Sequence, residues 1–259
     1  MTGVDAGLLE AKVKEMYREV AEHPHGEFHF ELGEKVALRA GYDPALLAAI
    51  PDDAVDSFAG VGYFFDLAAL EAGESVLDLG SGSGMDVLYA AKVVGPTGNV
   101  IGIDFTPEQL DKARQQAADA DVTWAEFREG RIEELPVSDA SIDCVISNGV
   151  INLSPEKEAV FHEAARVLRP GGRLAIADII TEEQMTEAIV CDADLWAACV
   201  GGAAQQETYL KEIEAAGLTI VQIRVNDYQF LSSRALSATK KFGVKSISVL
   251  AIKSEGTTA

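Results

Sequence analysis

The residues best suited to chemistry form the run Asp78-Leu79-Gly80-Ser81-Gly82-Ser83-Gly84. Alternate glycines let a backbone bend tightly and come close to a ligand. The run follows a short apolar stretch, Ser75–Leu79, that reads as a buried strand, and precedes Met85–Val94, which reads as a helix. Strand, glycine bend and helix N-terminus together seat the polar part of a nucleoside-type ligand. Dinucleotide sites use GxGxxG, whereas this run is GxGxG. The carboxylate of Asp78 suits a ligand with an amino group better than a pyrophosphate. A second carboxylate, Asp104, ends the next strand about 20 residues beyond the glycines, where an acid accepts hydrogen bonds from ribose hydroxyls. Both NAD and S-adenosylmethionine (SAM) carry such a ribose.

The elements that must position these groups alternate between strand and helix. After the first strand and helix come a strand at 99–103 and a helix at 108–119. That helix is capped by Thr106, with Pro107 in its first turn and Gln109 placed as in a capping box. Strands follow at 123–128 and 141–147, then a helix at 155–168 stopped by Arg169-Pro170-Gly171-Gly172, and a strand at 173–180. Short connections between alternating elements imply a parallel, doubly wound α/β sheet. A further helix is expected at 205–216. Strands at 218–225 and 245–252, with no proper helix between them, are expected to pair antiparallel at the sheet edge. Residues 1–70 read as a helical N-terminal cap or lid. Residues 71–259 read as the catalytic domain, with a nucleotide-binding core at 71–180 and substrate-side helices and edge strands at 181–259.

The 259 residues are 48% hydrophobic, enough for a substantial core. No stretch reaches the roughly 18 apolar residues that span a bilayer, and the N-terminus lacks an apolar signal region, so the expected compartment is the cytoplasm. Acids outnumber bases 42 to 21, for a net charge of −21. Such a surface repels phosphate backbones and argues against a nucleic-acid partner. The three cysteines, Cys144, Cys191 and Cys199, have neither a disulfide-framework count nor the spacing of a metal site.

VLDLGSGSG at 76–84, IGIDFTPEQLDKAR at 101–114, IEELPVSDASIDCVIS at 132–147 and RVLRPGGRLAIAD at 166–178 resemble class I SAM-dependent methyltransferases. The segments at 148–154, 192–199 and 230–251 are similar to the arsenite methyltransferase branch and its uncharacterised relatives. The resemblance implies a Rossmann-like, seven-stranded, mostly parallel sheet with helices on both faces, SAM as cofactor and a small-molecule methyl acceptor. It also implies roles. Asp78, Gly80, Ser81, Gly82 and Gly84 would hold the methionine portion of SAM. Asp104 would hold the ribose, with Phe105, Thr106 and Gln109 beside it. Ile132 and Glu133 would contact adenine, and Asn148 would approach the sulfonium.

Arsenite methyltransferases hold trivalent arsenic with several thiolates. The position of one such cysteine, in an SNCVINL segment, is Gly149 here, and of the thiols only Cys199 matches the family. An acceptor reacting through oxygen, nitrogen, carbon or sulfur is therefore the main expectation. A metalloid acceptor with a reduced thiol set and a non-catalytic SAM-binding module stand as alternatives. Candidates for work on the acceptor are His29 and Tyr17 as bases and Cys199 as a contact. His29 lies in the stretch Glu27–Glu31, where Phe28 and Phe30 alternate with polar residues. Asp56–Phe65, rich in glycine and aromatics, is expected to fold over the SAM site.

Overall fold

The computed structural model describes residues 6–26, 28, 30–190, 192, 196, 200–231 and 233–255. Its centre is one sheet in the order β3-β2-β1-β4-β5-β8-β7. The strands are β1 (Ser75–Leu79), β2 (Asn99–Asp104), β3 (Ala125–Glu129), β4 (Ile142–Asn148), β5 (Leu168–Thr181), β7 (Leu218–Val225) and β8 (Lys245–Lys253), while a two-residue β6 (Ala204–Gln205) pairs with the end of β5. β1 to β5 are mutually parallel, and β8 runs antiparallel to both β5 and β7. The chain reverses direction across the sheet at β1 and β4, which places a crevice at their carboxyl ends.

β1 is continuously buried beyond its first residue, as a parallel strand covered on both faces must be. Its alternation assigns the faces. Val76 joins a core shared with α6 (Met85–Val94), α7 (Pro107–Asp119) and the N-terminal segments, whereas Leu77 and Leu79 join a core shared with α8 (Lys157–Val167) and the helix Gln206–Ala215. Period two therefore directs Asp78 to the N-terminal side.

That side is covered by α1 (Ala6–Glu22), α2 (Glu34–Ala40), α3 (Pro44–Leu47), α4 (Asp52–Asp56) and α5 (Phe65–Ala68). The strap between α4 and α5 is tied to the sheet. Ser246 Oγ donates to Val61 O at 2.7 Å and Ser248 Oγ to Tyr63 O at 2.9 Å.

Some elements differ from expectation. The third strand starts two residues later than its apolar run. β5 begins at Leu168 instead of after the glycines, because Leu168 already pairs with Ile142. A helix, Ser233–Phe242, does connect β7 to β8, burying Ala238 and Phe242. Thr106 is the N-cap of α7 but makes no side-chain capping bond, and the capping box is absent. Among the described residues, no helix is long and apolar enough to cross a membrane.

Candidate functional site

The glycine bend begins where β1 leaves the sheet. The amides of Gly80 and Ser81 both donate to Ile103 O, at 2.8 and 2.9 Å, which folds the loop against the end of β2. Gly80 has φ +72°, and a Cβ there would lie 2.3 Å from Val150 Cγ1. Both conformation and space therefore demand glycine. Asp104 fastens the bend from the neighbouring strand. Its Oδ2 accepts from Gly82 N at 2.9 Å and its Oδ1 from Thr106 N at 2.8 Å. The Thr106 side chain and the Phe105 amide also hydrogen-bond this carboxylate.

A cavity of about 140 Å³ opens above this bend. Asp78, Gly80, Ser81, Gly82 and Asp104 form its floor, and Phe105, Thr106, Gln109, Ile132, Glu133 and Asn148 border it. Gly84 is not a lining residue. It starts α6 with φ +89°, beside Phe127 and Ala113. The roof is the N-terminal layer: Leu9, Glu10, Val13 and Tyr17 of α1, with Ser57–Gly60 of the strap. Glu10 Oε2 accepts from Arg131 Nη1 at 2.7 Å across the mouth.

The cavity is acidic. Asp78 is 2% exposed, and its carboxylate has no hydrogen-bond partner among the described residues. Burial, followed by the charges of Asp86 and Asp104, pushes its pKa well above the usual carboxylate range. Asp86, in the first turn of α6, is pushed up to about 6, chiefly by burial, with hydrogen bonds from Tyr42 and Asn148 opposing the shift. Burial also raises Asp104, against the hydrogen bonds it accepts. Arg131 is the one base among the described lining residues, and it is engaged by Glu10. A buried carboxylate with no cation is costly, and a positively charged ligand removes that cost.

The expected residues that fall within the described chain have definite places. Gln109 is buried and acts as a tie: its Oε1 accepts from Ser83 Oγ and its Nε2 donates to Tyr17 O at 2.7 Å, so the glycine loop, α7 and α1 are joined. Tyr17 borders the cavity, and its ring stacks on Phe30 with centroids 6.2 Å apart. Ile132 is buried, and Glu133 accepts from Ser154 Oγ. Thr106 is buried and hydrogen-bonds Asp104 through its side chain. Ser81 Oγ is buried without a partner among the described residues. His29, Cys191 and Cys199 lie outside the described residues. Cys144 is buried in β4, away from the cavity, and burial raises its thiol to about 12. Trp196 is buried and donates from Nε1 to Leu153 O at 3.1 Å.

Three groups escaped the sequence reading. Tyr42 OH donates to Asp86 Oδ1 at 2.6 Å, and Asn148 bridges Asp86, Tyr42 and the strap. Asp178, near the end of β5, accepts from Asn152, from Tyr209 OH at 2.7 Å and from Ile179 N at 2.8 Å, fixing the turn after β4. A lone acid at the start of the otherwise apolar α6 was a usable signal for Asp86. Nothing local marks Tyr42.

The description "methyltransferase domain" matches residues 70–217. The chain belongs to the methyltransferase-domain family. An arsenite methyltransferase of Halobacterium salinarum is 45% identical over 189 residues, covering 73% of this chain and 48% of that protein. The human arsenite methyltransferase is 39% identical over 147 residues, 53% of this chain and 38% of that one. Among solved structures, an arsenic (III) S-adenosylmethionine methyltransferase from Chlamydomonas reinhardtii superimposes with a TM-score of 0.68 at 32% identity, covering 82% of this chain and 73% of that chain. The chain spans about half the length, or less, of the curated relatives it matches.

Proposed function

We propose that this methyltransferase-family protein is an enzyme that binds SAM and transfers its methyl group to a small-molecule acceptor. The observation that carries the reading is the buried, unpartnered carboxylate of Asp78 inside an acidic, glycine-floored cavity. SAM is cationic at its ammonium and its sulfonium, and it fits this field. A dinucleotide pyrophosphate does not.

When bound, SAM supplies a methyl group already activated on a sulfonium. The residues of this chain supply placement and dryness. Asp78 takes the ammonium, and Asp104, at the carboxyl end of β2 on the cavity floor, takes the ribose hydroxyls. Ile132 and Glu133 border the adenine, while Asn148 sets the end of β4 near the reacting centre. Residues 1–70 serve as the cap, with α1 and the strap excluding water from the 71–259 domain. Alignment and exclusion of water are the main demands of in-line methyl transfer. A base is needed only for an acceptor that must lose a proton. Tyr17, His29 and Cys199 stay as the candidates for contact with the acceptor.

The names of the curated relatives favour arsenite as a second reading. Gly149, at the position where the resemblance implies a cysteine, has φ +73°, and a Cβ there would lie 3.0 Å from Val61 Cγ1. No thiol among the described residues borders the cavity. Both points favour an acceptor that does not depend on a thiolate cluster.

Calorimetry with SAM and NAD tests the reading. SAM is expected to bind and NAD not to. Asp104→Ala is expected to weaken SAM by about 100-fold, the scale of two charge-assisted hydrogen bonds. NAD binding, or near-normal SAM affinity in that variant, overturns the assignment. Arsenite-dependent turnover lost in Cys199→Ser would select the second reading.

A further inference from the structure

Besides the Ser246 and Ser248 ties, Asn148 fastens the strap to the end of β4. Asn148 Oδ1 accepts from Val61 N at 2.7 Å and from Gly62 N at 3.3 Å, while its Nδ2 lies 3.1 Å from each of Gly62 O, Tyr42 OH and Asp86 Oδ2. Two amide hydrogens serve three acceptors, so the orientation of Asn148 is fixed by the acceptors around it. Tyr42 supplies the remaining constraint. It follows α2 and is almost fully buried, and its hydroxyl donates to Asp86. Its ring sits edge-on to Phe58, Tyr63 and Tyr89 at 5.0–5.2 Å. The packing thus places the hydroxyl, and the hydroxyl orders the carboxylate of Asp86, which borders the cavity.

We propose that Tyr42 and Asp86 are positioning residues that, through Asn148, lock the Val61–Gly62 strap onto the end of β4 and keep a negative charge beside the bound cofactor. The inference rests on the SAM reading above. Asp86 faces Tyr42 from the N-terminal layer, Asp78 from β1 and Asn148 from β4, with no cation facing it among the described residues. Its ionised form is held by the Tyr42 and Asn148 hydrogen bonds. A cationic ligand strengthens that form, and losing the Tyr42 hydroxyl weakens it. One network therefore couples cap closure to charge at the site.

Tyr42→Phe removes the hydroxyl and retains the ring. SAM affinity is measured by calorimetry from pH 5 to 8, with S-adenosylhomocysteine, which lacks the sulfonium charge, as comparison. Amide exchange at Val61 is followed alongside. The wild type is expected to lose SAM affinity as pH falls and the neighbouring carboxylates of Asp78 and Asp86, both raised by burial, take up protons. In Tyr42→Phe that acid limb should move up by about one pH unit, and Val61 N–H should exchange at least tenfold faster. In Asp86→Asn, adding Tyr42→Phe should shift the limb no further, because the group it acts on is gone. A merely structural role for Tyr42 would lower affinity at every pH and leave the limb in place, and that result overturns the proposal. An unmoved limb with unchanged exchange does so as well. A wild type that binds neither compound would defeat the SAM reading itself, whereas tight binding with an unmoved limb would defeat only the positioning role.

Discussion

Replacing Asp78 by asparagine should move stability and ligand affinity in opposite directions. The side chain changes from carboxylate to amide at nearly constant volume, and no hydrogen bond among the described residues is lost. In the free protein Asp78 is a buried carboxylate flanked by Asp86 and Asp104, with its pKa well above the ordinary 3.8. The sign follows from linkage. A raised folded pKa means that the folded state binds the proton more tightly than the unfolded chain, so stability falls as pH rises from about 4 through the folded value. The full penalty is present only above the folded value. A buried polar group left without a partner costs on the order of 1–3 kcal/mol. Asp78→Asn should therefore raise the melting temperature of the ligand-free protein by roughly 2–10 °C at the high-pH end. The gain should shrink as pH is lowered and the wild-type side chain takes up its own proton. SAM should lose the carboxylate that receives its ammonium, a cost of roughly 3–5 kcal/mol, or on the order of 10²–10⁴-fold in Kd. Differential scanning calorimetry with and without SAM, at pH 5 and 7.5, reads all of this at once. A variant that melts lower than the wild type when free, or that keeps wild-type SAM affinity, would refute the view of Asp78 as a charge awaiting a cation.

Two further outcomes follow from the geometry. Gly80→Ala combines a left-handed backbone with a Cβ 2.3 Å from Val150 Cγ1, and it should cost about 2–4 kcal/mol in thermal unfolding. Adding Val150→Ala should recover the steric part and leave the conformational part. Glu10→Gln should leave stability within about 0.5 kcal/mol, because Arg131 across the mouth is 53% exposed. The same change should speed release of bound SAM severalfold in stopped-flow, because it loosens α1 over the cavity.

Much of the scaffold is legible in the sequence, because buried parallel strands write themselves as unbroken apolar runs. VLDL, VIGI and DCVIS need no alternation to be recognised, and Gly95 closes the first helix between them. The glycine bend was equally plain: three glycines between a strand and a helix leave few other conformations. Other features depended on distance along the chain. Asp86 reads locally as an ordinary acid in the first turn of a helix, and only Tyr42, 44 residues earlier, makes it part of a network. Gln109 was placed by a capping pattern, yet it is drawn away by Ser83 and by the carbonyl of Tyr17, 92 residues distant. The helix Ser233–Phe242 is amphipathic but polar in bulk, with only Ala235, Leu236, Ala238 and Phe242 apolar among its ten residues. It forms around Ala238 and Phe242, which pack on the shared core.

The acidity of the whole chain and the acidity of the cavity are separate facts with separate consequences. Forty-two acids on a 259-residue chain are mostly exposed, and salt screens them beyond about 8 Å at physiological ionic strength. Asp78 and Asp86 are buried under α1, the strap and the glycine bend, where water and counter-ions have little access, and Asp104 is half-buried beside them. Their field therefore survives salt that erases the surface charge. In the SAM-binding reading, these three carboxylates supply the discrimination between a sulfonium nucleoside and a dinucleotide pyrophosphate, and the net charge of −21 contributes little to it. A surface engineered to neutrality would keep the same preference. A cavity stripped of Asp78 and Asp86 would lose it even on the native, acidic surface.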